Sequence, residues 1–193
     1  GEVKLDLQPT NLVEVVEEVC HIVEHQAGQL GVTISCDKSG ISHPVVMASS
    51  LHLKRLIMNI ASNAVKYNKP GGAVRVTCTE YAQEGSGATY RFVIADTGIG
   101  MSSDFQKRLF DPFSREQRKD AEHVTGTGLG TVIAKQLAEL MDGDIVYESR
   151  LGEGTVCTIT LPLTIDFDAS STLNGHYAHD RAALAGMSIL MAE

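Results

Sequence analysis

The apolar run YRFVIA, residues 90–95, ends on Asp96, and Gly98 and Gly100 follow it at once. Few features restrict a fold as much. A run that is apolar to its last residue belongs in a core, yet a carboxylate resists burial and two glycines give up side chains just beyond it. Two readings account for this. In one, the glycines supply positive φ in a loop after a strand end. In the other, Asp96 is the floor of a cleft, accepts hydrogen bonds from an exocyclic amine such as that of adenine, and the glycines let a ligand approach bare backbone. A lone DxGxG does not choose between them.

The surrounding segments alternate between helical and extended patterns. Residues 3–8, VKLDLQ, read as a short strand. Apolar residues at 12, 15, 16, 19, 22, 23 and 30 then keep helical spacing, with Thr10 or Asn11 as cap, Glu14 placed for a reciprocal bond and Gly31 as stop. VTISC and PVVMA read as short strands, and a second helix spans about 49–67 before the NKPGG breaker. AVRVTCTEY alternates as a half-buried strand does, and GSG turns it into the strand ending at Asp96, an antiparallel hairpin. A short helix near 103–110 precedes the charged stretch SREQRKDAEHVT. Then come a helix from GLGTVIAKQLAELMDG and a second hairpin, DIVYES to TVCTITLP, with Pro162 closing the compact part. Helices between runs of antiparallel strands indicate an α+β two-layer sandwich with one helical face.

Of the 193 residues, 43% are hydrophobic and 21% charged, the balance of a globular domain. The formal charge of −8 opposes sequence-blind binding to nucleic acid, and no apolar stretch approaches a membrane span. Cys20, Cys36, Cys78 and Cys157 are scattered without a CxxC and without a secretory signal, so they read as reduced packing residues in a cytoplasmic protein.

Two further constellations carry chemistry. In NIASNAVKYN, Asn59, Asn63 and Lys66 share one face of the second helix. That is either a solvent-facing polar stripe or a metal–phosphate site, with carboxamide oxygen for a hard cation and ammonium for a phosphate. In GTGLG, residues 126–130, alternating glycines open a helix and leave amide N–H groups for phosphate oxygens; the alternative is a flexible hinge. A Rossmann fingerprint fails because a charged loop, not a strand, precedes these glycines, and no GxxxxGK[ST] occurs.

Taken in order, NIASNAVKYN, DTGIGM, FDPF and GTGLG, followed by DGDIVYESRLGEGTVCTITLP, resemble the N box, first glycine box, F box, second glycine box and closing hairpin of the catalytic ATP-binding domain of sensor histidine kinases, in the Bergerat-fold superfamily. The resemblance covers about residues 3–162. It implies a two-layer α/β sandwich with a mixed, mostly antiparallel sheet covered by helices on one face, and ATP between the helices and a lid at about 112–127. By the same resemblance Asn63 binds Mg2+ with Asn59 assisting, Lys66 contacts phosphate, Tyr67 borders the nucleotide and Asp96 reads the adenine amine. Gly98, Gly100 and Met101 line the base; Gly126, Thr127, Gly128, Leu129 and Gly130 shape the lid end around the phosphates; Thr155 supports adenine recognition. Phe110 and Phe113 anchor the lid, and Arg115 and Arg118 are either γ-phosphate contacts or part of a solvated charged loop. Thr131, where relatives usually carry an aliphatic residue, and Asp142-Gly143, where they carry a glycine pair, depart from the pattern.

Gyrase, mismatch-repair and chaperone ATPases of this superfamily place a glutamate where this chain has Asn59. A carboxamide is no general base for water, so the expected role is to hold ATP for transfer. The family's phosphoacceptor is a histidine followed by an acidic residue on a separate dimerisation hairpin, and none of the seven histidines here has that context. The expected division is a catalytic domain at 1–163, a linker at 164–186 and, in MSILMAE at 187–193, the first strand of a receiver domain, as in a hybrid sensor kinase. Expected partners are that hairpin and a receiver domain or response regulator. The other reading is a non-catalytic module that signals through lid position.

Overall fold

The computed structural model describes residues 5–115 and 127–169. The elements are β1 (Gln8–Asn11), α1 (Leu12–Gln29), β2 (Thr33–Gly40), β3 (Val45–Ala48), α2 (Ser50–Lys66), β4 (Ala73–Glu84), β5 (Gly87–Asp96), α3 (Ser103–Gln106), α4 (Gly130–Leu140), β6 (Asp144–Arg150) and β7 (Gly154–Ile165).

Helix α1 begins where its chemistry allows. Asn11 Oδ1 accepts from the amides of Val13 and Glu14, at 3.0 and 3.4 Å, and Asn11 Nδ2 donates to Glu14 Oε1 at 3.0 Å. The reciprocal bond therefore closes on the Asn11 side chain rather than its backbone. Leu12, Val15, Val16, Val19 and Val23 form the buried stripe, which closes through Cys20 and Ala27; Ile22, counted with the stripe in the sequence, is 60% exposed. The first strand also differs from expectation. It lies at Gln8–Asn11 because those residues pair antiparallel with β3, from Gln8↔Ala48 to Asn11↔Val45. A four-residue polar strand has no period to read, and residues 1–4 lie outside the described residues.

The sheet runs β1-β3-β7-β5-β4-β2, with β6 also on β7. Among the described strands only the β2–β4 pairing is parallel, so the sheet is mixed and mostly antiparallel, as expected. Strand β7 pairs with β5 along one edge, while its other edge is shared by β6, as far as Thr160, and β3, at Thr164 and Ile165. Pro162 falls between those two partners, where its missing N–H breaks no ladder on that edge, so the strand continues to Ile165 instead of ending at the proline. Helix α2 packs against α1 on one side and α4 on the other, and the three lie on one face of the sheet. Leu53, Leu56 and Ile57 from α2 and Tyr90, Phe92 and Ile94 from β5 are fully buried between the layers. All four cysteines are free; burial holds the Cys20, Cys78 and Cys157 thiols up at about 12, as packing residues rather than reactive ones. Among the described residues no helix is long and apolar enough to cross a membrane.

The register sets out the working end of the sheet. On the helix-facing side, Asp96 of β5 lies opposite Thr155 of β7, which lies opposite Ser149 of β6. One step back along the same face the row is Ile94, Cys157 and Tyr147. These rows are the floor over which the C-terminal half of α2 and the start of α4 stand.

Candidate functional site

A cleft of about 290 Å³ opens over that floor. Its wall takes Asn59, Asn63, Lys66 and Tyr67 from α2 and its end, Asp96 from the end of β5 with Gly100 and Met101 after it, Thr127 and Gly128 before α4, Gly130 at its start, and Thr155 from β7. Residues of the N box, the two glycine boxes and the closing hairpin, separated by nearly a hundred positions, thus converge, while none of the F-box residues 110–113 lines the cleft. Gly98 and Leu129 lie behind the wall, and Phe113 is off it. Gly126 and Arg118, like the interior of the lid, lie outside the described residues.

The helix α2 register works as the spacing demands. Asn59 Nδ2 donates to the Arg55 carbonyl at 2.9 Å, which turns its amino group to the helix backbone and leaves Oδ1 facing away from it. A Cβ on Gly130 would stand 3.3 Å from Asn63 Nδ2 and 3.6 Å from Asn59 Oδ1, so α4 begins directly against both carboxamides. Lys66 is half-buried beside them, with Nζ 5.4 Å from the Tyr67 ring centroid. Burial and, after it, the Arg115 charge hold its pKa below the usual lysine value, so an anion placed here meets a poorly solvated ammonium.

Asp96 is buried enough to carry a raised pKa, about 6. Desolvation pushes it up; the amides of Gly98 and Thr155 and the charge of Lys69 pull it down less strongly. Gly98 N–H donates to Asp96 Oδ1 at 2.8 Å, and Lys69 Nζ donates to the Gly152 carbonyl at 2.8 Å. A carboxylate so held at the floor of a cleft is a hydrogen-bond acceptor with unspent capacity.

The glycines after Asp96 do something neither sequence reading named. A Cβ on Gly98 would lie 2.4 Å from the Tyr67 carbonyl oxygen, and one on Gly100 (φ +62°) 1.9 Å from the Arg150 carbonyl oxygen. Their bareness lets the loop after β5 lie directly on the end of α2 and on the β6–β7 turn. The Ile99 amide donates to Tyr67 O at 3.0 Å, and its carbonyl accepts from Gly152 N at 2.8 Å.

The lid ends are fastened unequally. Phe110 is half-buried, edge-on to Tyr147 at 5.8 Å, and under Lys135 Nζ at 4.6 Å. Thr131 Oγ1 donates to the Leu109 carbonyl at 2.8 Å, giving the unexpected threonine the task of tying α4 to the F-box loop. Phe113, expected as a second anchor of the lid, is 72% exposed among the described residues at φ +63° and does not line the cleft. A Cβ on Gly128 would stand 2.8 Å from Ser114 O, so the two lid ends touch at the base.

The wall also holds residues that sequence reasoning missed. Ile99, Phe105, Leu109, Ile133 and Tyr147 supply its apolar part. Nothing in a sequence separates such side chains from ordinary core positions. The Tyr147 hydroxyl is sealed from solvent and has no hydrogen-bond partner of good geometry among the described residues; the Cys157 sulfur alongside is a weak acceptor.

Residues 48–165 match the family described as histidine kinase-, DNA gyrase B-, and HSP90-like ATPase, which covers more than half of the chain. The chain belongs to that family. Within the family it is 32% identical over 165 residues to the sensor protein EvgS of Escherichia coli, an alignment that takes 86% of this chain and 14% of EvgS. The chain therefore spans a small part of the curated relatives it matches. Among solved structures it is similar to full-length ShkA in complex with AMPPNP, with 27% identity, TM-score 0.71 and coverage of 86% of this chain and 33% of that one. It shares its fold with the mycobacterial sensor histidine kinase MprB at 24% identity and TM-score 0.66, over 82% of this chain and 99% of that one.

Proposed function

We propose that this chain is the ATP-binding catalytic domain of a two-component sensor histidine kinase, which holds Mg2+-ATP in the cleft and presents its γ-phosphoryl group to a histidine on a separate dimerisation hairpin. The observation that carries this is the convergence of a buried acceptor, Asp96, with Asn59, Asn63, Lys66 and the glycine-opened start of α4 around one cleft. The base end has an acceptor for an exocyclic amine; the other end has an ammonium and an uncrowded helix start for phosphates. AMPPNP in the ShkA complex, a relative of the same fold, supports the nucleotide class.

Among the described residues no cluster of three or more histidine, cysteine or acidic side chains could cage a metal. The oxygens of Asn59 and Asn63 suit a hard dication that keeps most of its shell from phosphates and water, so the residues fit Mg2+. Mg2+ bound there would neutralise charge on the phosphates. The chain's own contribution is positional: Asn63 and Asn59 present neutral oxygens, Lys66 sets the phosphates, and the carboxamide of Asn59 is no general base for water. We further propose that the domain ends at about residue 163 and is followed by a linker and a receiver strand at 187–193, the latter outside the described residues. Its partners would then be the parent's hairpin and a receiver domain or response regulator. The deciding experiment supplies radiolabelled ATP and the parent's histidine-bearing hairpin: label on the hairpin is expected, with slow hydrolysis by the chain alone. Tight ATP binding without transfer would favour a passive module.

Asp96 makes a pH-dependent prediction. Its carboxylate accepts from the amine only when ionised, so ATP affinity is expected to fall as pH drops from 7.5 through about 6, and GTP, with a carbonyl in that place, should bind poorly at pH 7.5, where Asp96 has no hydrogen to donate to it. Stability runs the other way. Because the folded pKa lies above the unfolded value of 3.8, folding takes up a proton, and the associated stability present below pH 3.8 is lost as pH rises through about 6. Asp96→Asn should therefore gain about 1–2 kcal/mol at neutral pH, less than the full shift implies because the group keeps some exposure, while ATP binding weakens by about 1–3 kcal/mol. Denaturant melts and calorimetric titration read the two; a variant that loses stability, or that keeps its ATP affinity, contradicts this assignment of Asp96.

A further inference from the structure

Ser149 does not line the cleft, yet its hydroxyl sits at the junction of everything that faces the base. Its Oγ accepts from the Met101 amide at 2.9 Å, donates to the Gly154 carbonyl at 2.9 Å and is 2.9 Å from Thr155 Oγ1. A hydroxyl has one hydrogen and two lone pairs. The hydrogen goes to Gly154, because a carbonyl can only accept, and one lone pair takes the Met101 N–H. What remains toward Thr155 is a lone pair, so the Thr155 hydroxyl must be the donor of that bond. Its hydrogen is spent on Ser149, and toward the cleft Thr155 has only acceptor capacity.

The serine is itself held. Gln106 Nε2 donates to the Met101 carbonyl at 3.1 Å and to the Ser149 carbonyl at 3.0 Å, locking the loop after β5 to β6 from α3. Thr155 faces Asp96 across the β5–β7 ladder. With Thr155 committed as an acceptor and Asp96 ionised, the floor of the cleft shows two acceptors and no side-chain donor in that row.

We propose that Ser149 is a specificity-determining positioning residue: by taking the Thr155 hydrogen it turns the floor of the cleft into a pair of acceptors that selects purines bearing an exocyclic amine against those bearing a carbonyl at the same atom. This rests on the nucleotide reading of the cleft. Removing the Ser149 hydroxyl frees the Thr155 hydroxyl to rotate and donate, which a carbonyl can use and an amine cannot.

The test is calorimetric titration of the whole chain with ATP and ITP, whose bases differ in amine against carbonyl. Ser149→Ala is expected to weaken ATP about threefold and tighten ITP about threefold, a roughly tenfold fall in the ATP-to-ITP ratio, which is about 1.4 kcal/mol. Ser149→Thr, which keeps a hydroxyl, should restore the parent ratio. A purely structural role would lower both affinities together and leave the ratio where it was. An unchanged ratio in Ser149→Ala, or a ratio that Ser149→Thr fails to restore although it folds as judged by its melt, overturns the proposal. Failure of the unmodified chain to bind either nucleotide would instead overturn the nucleotide reading on which it stands.

Discussion

Asn63→Ala is expected to abolish phosphoryl transfer to the histidine-bearing hairpin while leaving the domain folded. Asn63 is half-buried on the cleft face of α2, and among the described residues its carboxamide makes no hydrogen bond, unlike that of Asn59, which donates to Arg55 O. Its removal costs the fold no bond, and alanine is the better helix former by roughly 0.5 kcal/mol, so the melting temperature should hold or rise slightly. On the proposed role of Asn63 the metal would lose a direct ligand. Since even outer partners of a bound metal cost ten- to a hundredfold when removed, transfer should fall by more than about a hundredfold. Label on the hairpin from radiolabelled ATP, measured beside a melt of the variant, checks both halves. Transfer within threefold of the unmodified chain would remove Asn63 from the metal site.

That contrast between Asn59 and Asn63 was legible from spacing only in part. Positions 59, 63 and 66 share a helix face whatever the fold, so their convergence followed from the 3.6-residue period, and the hairpins followed from alternation and turn glycines. The mixed sheet with one helical face came from the family resemblance and the order of elements together. Other features left no local trace. Strand β1 is four residues, Gln-Pro-Thr-Asn, without an apolar alternation, and it is extended because it pairs with β3, from Gln8↔Ala48 to Asn11↔Val45. The Ser149–Thr155–Met101–Gln106 network joins residues as far apart as 48 positions, so no window of sequence contains it. The exposure of Phe113 left no local trace either: aromatic character argues for burial, but the residue has a positive φ in the turn after Asp111, whose carbonyl accepts from Ser114 N at 3.2 Å.

Gly100→Ala is expected to be strongly damaging for a single methyl, and the reason is backbone packing rather than room for nucleotide. The added Cβ would fall 1.9 Å from the Arg150 carbonyl oxygen and 2.7 Å from its carbonyl carbon, both fixed by the β6–β7 turn, in a residue already at φ +62°. Left-handed backbone alone costs a residue with a Cβ about 1–2 kcal/mol. Relief of the clash requires the loop and the turn to separate, which strains the 2.8 Å bond from Gly152 N to Ile99 O and lifts Met101 away from Ser149. A total loss beyond about 3 kcal/mol is expected, in the range reserved for backbone strain combined with overpacking. Gly152→Ala is the matched control: its φ is +82°, but nothing lies within 4 Å of the new Cβ, so it should lose only the left-handed term. Denaturant unfolding of the two variants separates the causes, since both carry the backbone cost and only one carries the clash. Should Gly100→Ala prove no less stable than Gly152→Ala yet bind ATP poorly, the glycine would be there for the ligand, as the sequence alone suggested, and the contact with Arg150 would be incidental.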